Sequence, residues 1–417
     1  MLDLKAIRRD PESVRAALAR RRDGSDARLD DVLSLDARRR ELLPEVESLR
    51  ASQNQASQEI ARAKQAGGDA SQAITAMQEV SRRVKALSEE LSGVEAELDQ
   101  ALGLLPNPPD PSAADDDATV REVGESGATG RDHLELAGDR IDMEAAARVS
   151  GSRFAYLKGD LVLLELALVR WALELLGGHG FEPVVPPVLV REEALFGTGF
   201  LPDTEQQIYR LADDPLYLAG TSEVPLASLH AGEILDGERL PLRYAGVSPC
   251  FRREAGAAGR DTRGIFRVHQ FDKVEMFSFV EPEAAQDEHE LLLSLEEEIL
   301  QALGVPYRVV NIAARDLGAS AAKKYDCEAW LPGQQRHREL TSTSNTTDFQ
   351  SRRLDIRYRP AAGGGPRHVH TLNGTAVTWR HLIALLENGQ RDDGSVALPE
   401  VLSEWGAPAE LGVGAGT

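Results

Sequence analysis

Apolar residues in the first hundred positions recur at alternating steps of three and four. One register runs through Leu42, Val46, Leu49, Gln53, Ala56, Ile60 and Ala63. It stops at Ala66-Gly67-Gly68-Asp69, and a second begins: Met77, Val80, Val84, Leu87, Leu91, Val94, Leu98, Ala101. Sustained three-four spacing is the seam of a coiled coil. Two such runs joined by a Gly-Gly turn predict an antiparallel helical hairpin over about 28–102. At ~1.5 Å per residue, a helix of about 35 residues is roughly 50 Å long. Pro44 lies inside the first run and is expected to break or kink it. Ahead of the hairpin, residues 1–20 read as a short helix, with Leu4, Ile7 and Val14 apolar and Asp10-Pro11-Glu12 as a start signal.

The pattern then changes. Residues 105–117, LPNPPDPSAADDD, carry little helix or strand potential and read as a linker. The expected organisation is an N-terminal unit over 1–104, a linker over 105–119 and a second unit over 120–417. In that second unit helical signals at 159–176, 284–303 and 378–389 are interspersed with strand-like runs. These are Val184–Val190, Tyr244–Val247, Lys273–Val280, Tyr307–Val310 and His368–Leu372. Strands in close succession with irregularly placed helices predict an α+β fold, an antiparallel sheet flanked by helices. The most apolar run, 161–176, is interrupted by Glu165, Arg170 and Glu174 and is too short to span a bilayer. Residues 1–25 are rich in Arg and Asp, unlike a signal peptide. A cytoplasmic protein with no membrane partner is expected.

Charge complicates the picture. The chain has 417 residues, 47 Lys and Arg against 68 Asp and Glu, and a net charge of −21. As a global sum this argues against a general nucleic-acid binder, which needs clustered cations. The hairpin shares the deficit. A rigid arm reaching a distant partner and a plain spacer coil both remain open there. The two cysteines, Cys250 and Cys327, exclude a disulfide framework and a four-Cys zinc site.

One stretch runs against the overall charge. Between Leu242 and Glu275 stand Arg243, Arg252, Arg253, Arg260, Arg263, Arg267 and Lys273, against Glu254, Asp261, Asp272 and Glu275. Arginines spaced along a strand–loop–strand segment present several planar forks to one polyphosphate. Gly256, Gly259 and Gly264 give the loop its freedom. In RVHQFDKVE, period-two alternation puts Arg267, His269, Phe271, Lys273 and Glu275 on one face. A phosphate-binding Arg, a stacking aromatic and a carboxylate on one surface suit a nucleotide beside an ammonium group. Glu339 and Ser342, in RHRELTSTSNTTDFQSRR, are hard oxygen donors suited to Mg²⁺, although a plain hydroxyl-rich β-edge is the alternative there. HVHTLNGTAVTWR reads as a strand running into a helix that carries Arg380. His368 and His370 alternate within it, but no third zinc ligand lies near. Thr221 and Glu223 follow the strand-like Leu216–Leu218. Neither GxxxxGK[ST] nor a strand-borne GxGxxG occurs, so the P-loop route to ATP is absent and a dinucleotide fold is not expected.

With these motifs in hand, the chain resembles the seryl-tRNA synthetases, a family of class II aminoacyl-tRNA synthetases, over nearly its whole length. The resemblance rests on MLDLKAIRRDPESVRAAL, the long hairpin, LPN, VSGSRFAYLKGDLVLLELAL, GFEPVVPPVLV with GTGFLP, TSEVPL, FRREAG, DTRGIFRVHQFDKVE, TSTSNTTDFQ and LENGQ. It implies a class II antiparallel sheet of six or seven strands, a homodimer, and ATP bound in a bent form. It implies that serine is activated to seryl-adenylate and passed to the 3′ end of serine tRNA. That tRNA would be gripped by the coiled-coil arm, with selenocysteine tRNA a second candidate. By resemblance Arg252 meets the α-phosphate and the serine carboxylate, Glu254 the base, Arg267 the γ-phosphate, and Phe271 the adenine ring. Thr221, Glu223 and Glu275 surround the serine ammonium and hydroxyl, and Asn373 and Thr375 complete that pocket. Glu339 and Ser342 ligate Mg²⁺, and Arg380 reaches the ATP tail. Two features depart from the family pattern. The segment from Asn373 to Arg380 is about one residue shorter than usual, with Trp379 in place of a small residue. The C-terminal PEVLSEWGAPAELGVGAGT is Gly- and Ala-rich and reads as disordered. They leave room for a specialised copy tied to natural-product biosynthesis or resistance. A synthetase-like ligase acting on a carrier protein is the other alternative.

Overall fold

A computed structural model of the chain describes residues 1–202, 207–255, 261 and 263–413. The chain divides into two compact units, Asp3–Leu105 and Met1–Leu2 with Pro106–Thr417.

The first unit is helical. The short N-terminal helix is in fact two, α1 (Leu4–Arg9) and α2 (Pro11–Ala19). Asp10 divides them: its carboxylate accepts from Ser13 N and caps α2 just ahead of Pro11. The hairpin follows as α3 (Ser25–Gln65) and α4 (Ser71–Leu104). Its seam buries Leu42, Val46 and Leu91. Polar contacts bridge the pair: Arg39 Nε to Glu95 at 3.0 Å, Arg83 to Glu45 at 2.6 Å and Gln53 to the Ser81 hydroxyl at 2.8 Å. The Gly-Gly turn forms as the sequence predicts, with Gly67 at φ 73° and Gly68 N bonded to Ala63 O. Pro44 does not break α3, which continues through it. Pro44 is exposed while Leu42 and Val46 are buried, so packing along the seam carries the helix past the lost N–H.

The second unit is built on an eight-stranded sheet. In chain order its strands are β1 (Ala118–Val123), β2 (Glu182–Val184), β3 (Leu242–Phe251), β4 (Gln270–Val280), β5 (Tyr307–Asn311), β6 (Lys323–Leu331), β7 (Arg336–Thr347) and β8 (His370–Thr378). In space the order is β1-β5-β6-β7-β8-β4-β3-β2. Every neighbouring pair is antiparallel except β2 with β3, which is parallel. The α+β expectation holds, with more strands than the resemblance implied. β7, the hydroxyl-rich run, is an interior strand and not an edge: β6 and β8 flank it. The read strand over Val184–Val190 splits into β2 and the short Leu189–Val190, because Pro186 and Pro187 cannot donate to a ladder.

Three helices pack with the sheet: α5 (Asp160–Gly178), α6 (Ala285–Ala302) and α7 (Trp379–Asn388). They bury Leu164, Leu168, Trp171, Leu292, Ile299, Leu382 and Leu386 with Val274, Met276, Leu372 and Val377 in the largest apolar cluster. α6 covers the face of the sheet that Thr341 and Thr343 point to. There the Thr341 hydroxyl donates to Glu296 at 2.7 Å and His289 Nε2 donates to the Thr343 carbonyl.

The segment read as a linker is not free chain. Asn107 Nδ2 donates to the carbonyls of Ser320 and Thr346, and Asp110 N to Ala322 O. The C-terminal stretch is also ordered through Val413: Glu410–Leu411 pairs with Val396–Ala397, and Arg170 sits 5.5 Å from the Trp405 ring centre. Gly414–Thr417 lie outside the described residues.

Candidate active site

A cavity of about 440 Å³ opens on the face of the sheet away from α6. It collects Thr221, Glu223, Arg252, Glu254, Arg267, Phe271, Glu275, Glu339, Ser342, Asn373, Thr375 and Arg380, every residue to which the family resemblance gives a role, whereas Arg243, Arg253 and Arg263 of the Arg-rich stretch do not line it.

Strand geometry explains much of the convergence. Along β4, Phe271, Lys273 and Glu275 alternate onto the cavity side. The face does not extend as far back as period two suggests, because β4 begins at Gln270. Arg267 still reaches the cavity from the preceding turn. His269 instead donates from Nδ1 to the Arg252 carbonyl at 2.8 Å and packs on Phe154.

Two register shifts bring in residues that simple alternation would turn away. Cys327 pairs with Thr341, but Glu328 pairs with Glu339, so Leu340 is an extra residue in β7. Glu339 and Ser342, three apart, therefore both line the cavity. In β8, Val377 pairs with Val274 but Thr375 with Glu275, so Ala376 is extra. Thr375 and Thr378 both line the cavity as a result, and Arg380 enters it from the first turn of α7. The short segment from Asn373 to Arg380 thus does not keep Arg380 out.

At one end the polar groups interlock. Lys273 pairs with Glu275 and donates to the Thr221 hydroxyl at 2.7 Å. Thr221 donates in turn to Glu275 Oε2 at 3.0 Å. All three are buried. Glu223 Oε1 accepts from Gln350 at 2.8 Å and from Asn373 at 3.0 Å. Burial, and then the nearby Glu275 charge, push the Glu223 carboxyl up to about 7. A pocket with two carboxylates, a hydroxyl and amides suits a small ligand carrying an ammonium and a hydroxyl.

The other end is cationic. Arg252 donates through Nε to Gly220 O at 3.1 Å and stands 5.4 Å from the Phe271 ring centre. Arg267 donates to Glu254 at 2.7 Å, and Glu254 itself has φ 50°. Arg380 donates to both the carbonyl and the carboxylate of Glu339, at 2.9 and 3.2 Å. Burial alone would raise the Glu339 carboxyl, but Arg380, Lys324 and Arg252 outweigh it and hold it at about 2. Glu339 is therefore an anionic hard donor at any physiological pH, and with Ser342 it fits a Mg²⁺ ion. Among the described residues no cluster of three His, Cys, Asp or Glu side chains could hold a metal.

Several lining residues went unread in the sequence. The Phe266 ring stands against two guanidinium groups, its centre 3.6 Å from that of Arg338 and 4.5 Å from that of Arg380. Arg338 makes a two-pronged pair with Asp261, at 3.0 and 2.8 Å. Lys324 lines the cavity and pairs with Asp326 at 2.9 Å. The positive side chain of Lys324 is nearly featureless in sequence, and only the strand assignment places it here; Arg338 does not line the cavity itself but stands against Phe266, which does. Gly256, Gly259 and Arg260 of the Arg-rich loop lie outside the described residues.

Known proteins share this architecture. Residues 1–109 match the model of the seryl-tRNA synthetase N-terminal domain, and residues 207–389 that of the class II tRNA synthetase core domain for G, H, P, S and T. The chain is 50% identical over 411 residues to the serine–tRNA ligase of Thermobifida fusca, covering 96% of each. It is also 50% identical to that of Streptomyces coelicolor, covering 97% of each. The crystal structure of seryl-tRNA synthetase from Pyrococcus horikoshii complexed with ATP superposes with a TM-score of 0.93 at 42% identity, over the whole of both chains. With both of its units matched and relatives aligned along nearly the full sequence, the chain belongs to the seryl-tRNA synthetase family of class II aminoacyl-tRNA synthetases.

Proposed function

We propose that the chain is a serine–tRNA ligase that activates L-serine with ATP and transfers the seryl group to the 3′ end of serine tRNA. The observation that carries this reading is the single cavity with an ammonium-binding end and a cationic end. The two substrates of adenylate formation would meet between them.

In this reading Glu275, Thr221 and Glu223 hold the serine ammonium and hydroxyl, and Asn373 and Thr375 close the pocket. Arg252 bridges the serine carboxylate and the α-phosphate. Phe271 stacks on adenine, with Glu254 at the base edge. Arg267 and Arg380 neutralise the outer phosphates. A serine carboxylate oxygen attacks the α-phosphorus in line, the bond to the bridging oxygen breaks, and diphosphate leaves. Such a step depends on positioning and on stabilising developing charge, which the arginines provide. Glu339 and Ser342 would hold Mg²⁺, which supplies further charge neutralisation on the phosphates when bound. A site that hydrogen-bonds the serine hydroxyl rejects alanine, because its polar groups would be left unpaired.

The partner is serine tRNA, gripped by the α3–α4 arm. The protein acts as a homodimer in the cytoplasm. The dimer reading is supported by exposed apolar side chains along α5 and the segment after it: Leu163 at 50%, Leu166 at 60% and Val185 at 85% exposure. No described helix is long and apolar enough to cross a membrane.

Serine-dependent ATP–diphosphate exchange, followed by transfer of labelled serine to tRNA, tests the assignment. Exchange and transfer together are expected. Absence of exchange rejects it, and exchange without transfer to tRNA favours a ligase acting on a carrier protein.

A further inference from the structure

Phe266, the platform under Arg380 and Arg338, is held in place from outside the cavity. The residue before it, Ile265, is buried at 1% exposure, and a buried backbone N–H must find an acceptor. That acceptor is a side chain: Ile265 N donates to His133 Nε2 at 3.3 Å. The opposite ring nitrogen, Nδ1, donates to Glu387 Oε1 at 3.1 Å, which fixes the neutral tautomer. His133 N donates to the same oxygen at 3.2 Å, and Gly333 N donates to Oε2 at 2.9 Å. Both carboxylate oxygens are engaged, and Glu387 is fully buried. The ring can approach so closely only because residue 264 is glycine. A Cβ there would stand 2.2 Å from His133 Nε2, and Gly264 has φ +81°.

The arrangement has a particular geometry. Glu387 lies in the last turn of α7 and Arg380 in its first. Two consecutive residues, Ile265 and Phe266, are therefore tied to opposite ends of one helix. Ile265 is tied through His133 to Glu387, and Phe266 by stacking under Arg380.

We propose that His133 and Glu387 form a latch that sets the cationic wall of the cavity, making His133 a positioning residue for nucleotide binding. This rests on reading the cationic end as the ATP subsite. Without the latch, Phe266 is free to shift, and Arg380 and Arg338 lose the surface they rest on. The serine end is built from Thr221, Glu223 and Glu275, which the latch does not touch.

His133→Ala and His133→Gln in the full chain test this, with three readouts. These are ATP affinity by titration calorimetry, the KM for serine in diphosphate exchange, and hydrogen–deuterium exchange of the peptide containing Ile265. His133→Ala should weaken ATP binding about tenfold, as loss of one buried hydrogen-bond partner does. The serine KM should stay within about twofold, and the Ile265 amide should exchange faster. His133→Gln carries an amide oxygen to about the reach of Nε2, and should recover ATP affinity to within about threefold and restore amide protection. Unchanged ATP affinity in a folded His133→Ala overturns the proposal. So does an equal loss for ATP and serine, or a folded His133→Gln that binds ATP no better than His133→Ala. If the wild type shows no serine-dependent exchange, the functional assignment fails, while ATP binding and amide exchange still decide the latch.

Discussion

Glu275 and Glu223 occupy the same end of the cavity and are set up differently. Glu275 is paired with Lys273 and receives the Thr221 hydroxyl, so its charge is balanced before any ligand arrives. Glu275→Ala should lower kcat/KM for serine in diphosphate exchange by roughly 100-fold or more, since a charged hydrogen bond to the ammonium and its desolvated partner Lys273 are both disturbed. The KM for ATP should stay within about threefold; equal losses for both substrates would remove Glu275 from the serine site. Among the described residues Glu223 accepts from neutral amides, those of Gln350 and Asn373, and burial raises it to about 7. A carboxyl raised above its unfolded value stabilises the fold below that value, and the contribution disappears as pH climbs from about 4.5 to about 7. An arriving ammonium reverses the shift by favouring the carboxylate. Serine should therefore bind more tightly as pH rises from 6 to 8, and binding near pH 6.5 should release a proton, seen as buffer-dependent heats in calorimetry. Glu223→Gln should lose both signatures; a wild type with flat affinity across that range would contradict the assignment. These residues were legible because each stands in a short motif of distinctive chemistry. His133 and Phe266 were not, since a lone histidine and a lone phenylalanine gain meaning only from what they touch.

At the scale of elements, the three-four spacing of the arm and the alternation along β4 could be read directly. β6 escaped notice for a physical reason. Lys323, Lys324 and Asp326 look like loop residues, yet all three are largely enclosed: Lys324 faces the cavity and pairs with Asp326, while Lys323 faces Glu290 of α6. The extra residues Leu340 and Ala376 were equally hidden, as a bulge changes which residues share a face without altering composition. Pro44 shows the opposite failure, a strong local signal overruled by packing. Proline within a helix forfeits a hydrogen bond to the residue four earlier and crowds its carbonyl, at a cost of about 3 kcal/mol. The Leu42–Val46–Leu91 contact offsets this locally. Pro44→Ala should therefore stabilise the surrounding turns of α3 by about 1–3 kcal/mol. Slower hydrogen exchange of peptides spanning residues 38–50 in the full chain is the expected result. Unchanged or faster exchange would mean that the turn at Pro44 gains nothing from the restored N–H.

For the whole molecule, net charge is the property most easily misread. A sum of −21 suggests no nucleic-acid partner, yet the chain belongs to a family defined by one. The sum conceals a division of labour. The cavity gathers Arg252, Arg267, Arg380 and Lys324 at one end, while much of the acidic excess lies elsewhere. Within the arm, Arg38, Arg39 and Arg83 are spent on Glu90, Glu95 and Glu45. Recognition of an RNA by such a surface would depend on shape and on few phosphate contacts, with the acidic remainder suppressing non-specific binding. The division into two units then separates the proposed grip on tRNA from the proposed chemistry. Every residue proposed for serine activation lies within Pro106–Thr417, and none lies in the arm. Deleting residues 30–100 should abolish transfer of serine to tRNA while leaving serine-dependent diphosphate exchange within about threefold of the intact chain. Loss of exchange in a deletion that melts cooperatively would show that the arm supports adenylate formation itself. Retained transfer would place tRNA recognition outside α3 and α4.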